Sequence, residues 1–134
     1  RHESLMVAVP AGHRLTDRDT LEPGDLAGER LVVYPAAHGS LVRDATFTVC
    51  ASAGFAPTIA REAPDPYSLL ALVGAGVGIA VVVASTAHIT VDGVQYLPLD
   101  GGPILPIALA WRRGNTAPAL QRVLEVLREM PGAR

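Results

Sequence analysis

Residues 61–85, REAPDPYSLLALVGAGVGIAVVVAS, constrain the fold more than any other stretch, because loop, helix, glycine turn and buried strand follow one another without a break. Asp65 is placed to accept a hydrogen bond from the open N–H groups of a first helical turn. Pro66 follows where a missing N–H costs nothing, so a helix starts here. Leu69, Leu72 and Val73 fall on one face of it, with Ala71 and Ala75 small enough for close approach. Gly74, Gly76 and Gly78 are expected to end the helix, since glycine adopts positive φ cheaply. The run at 79–83 is apolar and largely β-branched with no polar alternation, the pattern of a strand covered on both faces. A helix leading into a fully covered strand implies an α/β layered domain.

Two rival readings of this stretch fail on order and flanks. A nucleotide-binding glycine loop leaves a strand and opens a helix, whereas here the helix comes first. A membrane span over residues 67–87 has no charge to oppose it, and Gly74 with Gly78 has the spacing of packed membrane helices. Against it stand the Asp-Pro start, three glycines in the middle, the β-branched second half and the lack of basic flanks.

The 134 residues suffice for one domain, and 49 % hydrophobic with 18 % charged content is that of a folded soluble chain. With a net charge of -2 and no basic run longer than Arg112-Arg113, the segment lacks a nucleic-acid footprint. Cys50 stands alone inside a helical pattern, so it reads as a buried thiol rather than a nucleophile or half of a disulfide. His2, His13, His38 and His88 are too scattered for a metal site, and no cofactor motif or catalytic acid–base–nucleophile set emerges. The chain lacks an initiator Met and a secretory leader, and is expected to be a piece of something longer.

In chain order, residues 5–9 read as a strand stopped by Pro10, Ala11 and Gly12, and 31–34 as a second strand stopped by Pro35. Ala36, Ala37, His38 and Gly39 then lead to Ser40, a good N-cap for a helix over 41–53 that ends before Gly54. Strand, loop and helix start in that order place open N–H groups at the carboxyl edge of a sheet, where α/β sheets bind ligands. Ser40 can cap with or without a ligand beside it, and His38 can donate to an anion or face solvent. Residues 58–60 make a third strand, 94–99 an edge or crossover strand that meets Pro98, and Ile107, Leu109 and Trp111 one face of a last strand. A closing helix from Thr116 carries the stripe Leu120, Val123, Leu124, Leu127 and Met130, which needs a surface to cover.

Five pieces in this order, LMVAVPAGHRL, LEPGDLAGERLVVYP, ASAGFAPTIARE, SLLALVGAGVGIAVVVAS and, more loosely, IALAWRRGNTAPALQRVLEVLRE, make the chain resemble the effector-binding domain of LysR-type transcriptional regulators. The resemblance implies a type 2 periplasmic-binding-protein-like α/β fold, with one complete lobe plus the last strand and helix of the other. On that mapping residues 5–9 are the first crossover, 10–90 the second lobe, 94–99 the return crossover and 107–130 the end of the first lobe. The implied function is sensing of a small-molecule effector, with a carboxylate favoured by two helix starts facing one cleft. The implied effector contacts are Pro35, Ala36, His38, Gly39, Ser40, Asp65, Ser68, Gly78 and Ile79. DNA would be bound only through a winged helix-turn-helix outside this chain, in a cytoplasmic homo-oligomer with no membrane contact, cofactor or catalysis. A transporter solute-binding protein shares the two-lobe fold and is the competing implication. An enzyme on the same scaffold would need a converging acid and base, for which His38, Asp65 and Glu62 are the available groups. One departure stands out: Val83 occupies the place where the family has a proline after the buried strand, which bears on the loop that follows.

Overall fold

The computed structural model describes residues 2–129, without the side chain of His38. Its elements are β1 (His2–Glu3), β2 (Leu5–Pro10), β3 (Arg30–Val33), α1 (Leu41–Ser52), β4 (Thr58–Glu62), α2 (Pro66–Gly74), β5 (Ala80–Val83), β6 (Val94–Pro98), β7 (Leu105–Pro106) and α3 (Pro118–Glu129). β2 lies between β5 and β6 and is antiparallel to both, while β3 and β4 pair in parallel. The two ladders meet at Ile79, whose N–H donates to Arg30 O at 2.9 Å and whose carbonyl accepts from the Val32 N–H at 2.8 Å. They therefore continue as one sheet in the order β4-β3-β5-β2-β6, with β2 alone running against the rest. The strands at 5–9 and 94–99, expected as the first and return crossovers, are next-door neighbours in it.

Period-two alternation sends the side chains of the inner strands into two layers. Val7, Val9, Leu31, Val33, Ile79 and Val81 pack with Ala45, Val49 and Cys50 of α1. Ala8, Val32, Ala80 and Val82 pack with Leu69, Leu70 and Val73 of α2 on the other face. β5 is thus covered on both sides, as its apolar run predicts, and each such Val, Leu or Ile contributes about 1.5–3 kcal/mol by leaving water. The Cys50 thiol is buried in the first layer, and burial pushes its pKa up, away from reactivity.

Several local expectations are corrected. Of the three glycines after α2 only Gly76 has positive φ, 74°. Gly78 is required for a different reason: a Cβ there would lie 2.4 Å from Arg30 O, so β3 could not come up to the chain that enters β5. At Gly74 a Cβ would sit 3.0 Å from Asp92 O, a close helix-to-loop approach. Ala71 and Ala75 are exposed, and the buried face of α2 is Leu69, Leu70 and Val73 with Leu72 only half-buried. The last strand is not at 107–111. Among the described residues β7 forms at 105–106, paired with His2 and Glu3, and no strand covers 107–111. Ile107, Leu109 and Trp111 are about half-exposed there. α3 forms as expected, but none of its described residues is buried, and Met130 lies outside the described residues.

The Val83 departure has a simple resolution. With Ala84 N–H bonded to Ser4 O at 2.9 Å and Leu5 opposite Val83, the Val83 N–H faces away from β2. Its φ of -80° is close to the value a proline ring imposes. The position accepts either residue without changing the turn.

Three substitutions test these contacts. Gly78→Ala should lower the urea midpoint by the equivalent of about 1–3 kcal/mol with an unchanged slope. Gly24→Ala, where a Cβ meets nothing within 4 Å, should change it by under about 0.5 kcal/mol. Val83→Pro should stay within about 0.5 kcal/mol of the parent.

Candidate functional site

Because β3, β4 and β5 are parallel, the segments that leave them emerge at one edge of the sheet. Val33 stands opposite Glu62, and Ala63 N–H donates to Val33 O at 2.9 Å, so the turns after β3 and β4 leave side by side. The same edge receives the amino end of β2 and the carboxyl ends of β5 and β6. It is therefore also where the chain passes to the β1–β7 pair, with the buried Glu3 carboxylate accepting from the Ser85 N–H at 2.9 Å.

After β3, Pro35 is extended, residues 36–38 make a 3-10 turn, and Gly39 closes it at φ 58° with its N–H on Ala36 O at 3.2 Å. Ser40 then caps α1, its Oγ accepting from the Arg43 N–H at 3.3 Å. The cap is neutral, and the other N–H groups of that first turn have no carbonyl within the helix. After β4, Asp65 caps α2: Oδ1 accepts from the Ser68 N–H at 3.0 Å and Oδ2 from the Ser68 hydroxyl at 2.7 Å. These bonds hold the Asp65 carboxyl below its ordinary pKa. The two helix starts share an edge but differ at the cap: Ser40 of α1 is neutral, with Arg43 and Asp44 in the first turn, while α2 is capped by the Asp65 carboxylate and Pro66 offers no N–H.

Side chains that the sequence did not single out complete the edge. Arg43 Nη1 donates to Tyr34 O and to Glu62 Oε1, the latter at 2.8 Å, and the guanidinium lies 5.0 Å from the Phe47 ring centre. One cation thus ties the carboxyl ends of β3 and β4 together. A basic residue in the first turn of a helix opposes the helix dipole, and that misfit was the available signal. The Tyr34 phenol is pushed to a higher pKa by burial and then by the nearby Asp65 charge. Leu41 and Tyr67, 61 % and 68 % exposed, stand in the first turns of the two helices, where side chains tilt toward the helix start.

Gly78 and Ile79 are not brought to this group. They sit at the amino end of β5, beside Arg30, and the chain from Arg30 to Pro35 spans about 17 Å of extended backbone. Ile79 is buried with both backbone groups bonded, so its role is support. Gly78 lines a separate cavity of about 210 Å³ on the opposite edge, with Pro10, His13, Glu29, Arg30 and Val77. Glu62 and Asp65, the carboxylates considered for acid–base work, are engaged by Arg43 and Ser68. Among the described residues no group of His, Cys, Asp and Glu could hold a metal ion, and no helix is long and apolar enough to cross a membrane.

A five-stranded sheet with helices on both faces, two helix starts at one edge and two chain crossings beside them is the lobe of a periplasmic-binding-protein-like ligand-binding domain. The chain belongs to the LysR substrate binding domain family, which matches residues 1–131. It is 36 % identical over 125 residues to the HTH-type transcriptional regulator ShiR of Corynebacterium glutamicum, covering 92 % of this chain and 42 % of that one. The structure of CbnR, a LysR family transcriptional regulator, superposes with a TM-score of 0.79 at 27 % identity, covering 96 % of this chain and 45 % of that one. The BenM effector binding domain, solved with its effector benzoate, gives 0.67 at 32 % identity over 78 % of this chain and 50 % of that one. The chain spans less than half the length of the curated regulators it matches. These likenesses favour the regulator reading over a transporter binding protein.

Since the Asp65 carboxyl is held below its unfolded value, its contribution to stability is present above the unfolded pKa and is lost as pH falls through the folded one. Asp65→Ala should therefore lower the melting temperature at pH 7, and the gap to the parent should narrow as acid protonates the carboxylate. A gap that stays constant down to pH 2 would contradict this assignment.

Proposed function

We propose that the edge formed by Pro35, Ala36, His38, Gly39, Ser40, Asp65 and Ser68 binds a small organic acid with an apolar body, and that occupancy switches a transcriptional regulator. The observation that carries it is the convergence of two helix starts with the chain crossings at one sheet edge. A ligand lodged there touches the turns of this lobe and whatever the crossings lead to. Leu41 and Tyr67 offer apolar surface, and the uncharged Ser40 cap of α1 with the Arg43 cation beside it favours a carboxylate. BenM's effector, benzoate, is an acid of this shape.

In this reading residues 10–90, together with the strands at 5–9 and 94–99, form one lobe. The crossings are the short links from β1 into β2 and from β6 to β7. Residues 107–130 belong to the other lobe, which the full-length protein completes. The effector shifts a population: it stabilises the lobe arrangement it binds more tightly, by no more than that difference in affinity. A winged helix-turn-helix elsewhere in the full-length protein contacts DNA, in a cytoplasmic homo-oligomer that performs no catalysis. Full-length CbnR has been solved with its target DNA, which supports that division of labour.

Calorimetry of the full-length protein against benzoate, salicylate, hexanoate and succinate, each paired with its neutral amide, tests the reading. At least one acid should bind about ten- to a hundredfold more tightly than its amide, the equivalent of one charge-assisted hydrogen bond of about 1.5–3 kcal/mol. Binding of amides or amines with no acid binding would overturn it.

A further inference from the structure

Arg43 is the one feature of the edge that a structural cap does not account for. Its side chain is only 14 % exposed, its guanidinium lies over the Phe47 ring and donates to Tyr34 O, and it pairs with the carboxylate of Glu62, whose side chain is 46 % exposed. Both of these hydrogen bonds come from Nη1, so Glu62 and Tyr34 O share one nitrogen of the fork. We infer that Glu62 is a placeholder: the carboxylate of an incoming acid takes its position on Arg43, and Glu62 swings back into water.

Desolvating a cation is the largest obstacle to a buried ion pair, and here it has been met before any ligand arrives. One carboxylate replaces another, so the charge around the guanidinium is unchanged by binding. The departing Glu62 is nearly half in solvent already, and surface pairs of this kind are weak. Arg43 does not need to move, because the backbone carbonyl and the ring keep its plane. The exchange also has a structural output. Glu62 ends β4 and Tyr34 follows β3, so releasing Glu62 frees the turn that leads to Asp65 while the turn after β3 stays anchored. Occupancy at the start of α1 is thereby felt at the start of α2. An acid held in this way is discriminated from its amide, which cannot replace a charge on Arg43 without leaving the cation unbalanced.

This inference rests on the organic-acid reading of the edge, and its test separates the two. In the full-length protein, the acid of the panel that binds most tightly is titrated against Glu62→Gln, Arg43→Gln and the parent, with its amide alongside. Glu62→Gln removes the competitor and should tighten the acid about two- to fivefold, the reach of an exposed ion pair, with the amide unchanged. Arg43→Gln should weaken the acid at least tenfold and the amide little. Glu62 is exposed enough for its variant to fold, so the sign of its effect stands even if the Arg43 variant does not. Acid binding unchanged or weakened in Glu62→Gln would overturn the exchange and leave the organic-acid reading standing. No acid binding in the parent would overturn both.

Discussion

The contact between the backbone at Gly78 and Arg30 O is the constraint on which the rest of the architecture depends. A side chain at that point would sit inside the carbonyl of β3. Without one, Ile79 bonds to Arg30 and Val32, and the β3–β4 ladder is locked in parallel to β5. That registration decides which ends of the strands lie together. The turns after β3 and β4 therefore share an edge with the links to β1 and β7, and the proposed ligand edge is a consequence of a packing demand some 17 Å away along β3.

Polar groups at that edge are arranged so that the backbone's needs and a ligand's needs overlap. Ser40 and Asp65 satisfy helix starts, Gly39 closes a turn, and Arg43 ties two strand ends. None of these is idle in the empty domain. The two helix starts differ at the cap, Ser40 on α1 being uncharged and Asp65 on α2 a carboxylate.

Much of this was legible in the sequence because it is local. Asp65-Pro66 marks a helix start, the run at 79–83 a doubly covered strand, and Pro35 to Ser40 a strand-to-helix turn, and each is where its residues place it. Non-local facts were not legible. That Gly78 faces Arg30 depends on pairing across 48 positions of chain, and without it Gly78 and Ile79 appear beside the edge turns instead of at the far end of β5. Arg43 was missed for the same reason, since its partners Tyr34 and Glu62 come together only when β3 and β4 pair. The run at 107–111 shows the opposite failure: alternation describes what a strand would bury, not where its pairing lies, and among the described residues the strand there is 105–106.

The central claim is that the edge after β3 and β4, rather than the cavity at the opposite edge, receives the ligand. Hydrogen–deuterium exchange of the full-length protein, with and without a saturating acid that binds it, reads this directly. Slower exchange should concentrate in the amides of residues 36–43 and 67–70, with those of 28–30 and 76–78 unaffected. Protection confined to 28–30 and 76–78, leaving the Ser40 and Asp65 turns unchanged, would contradict the account.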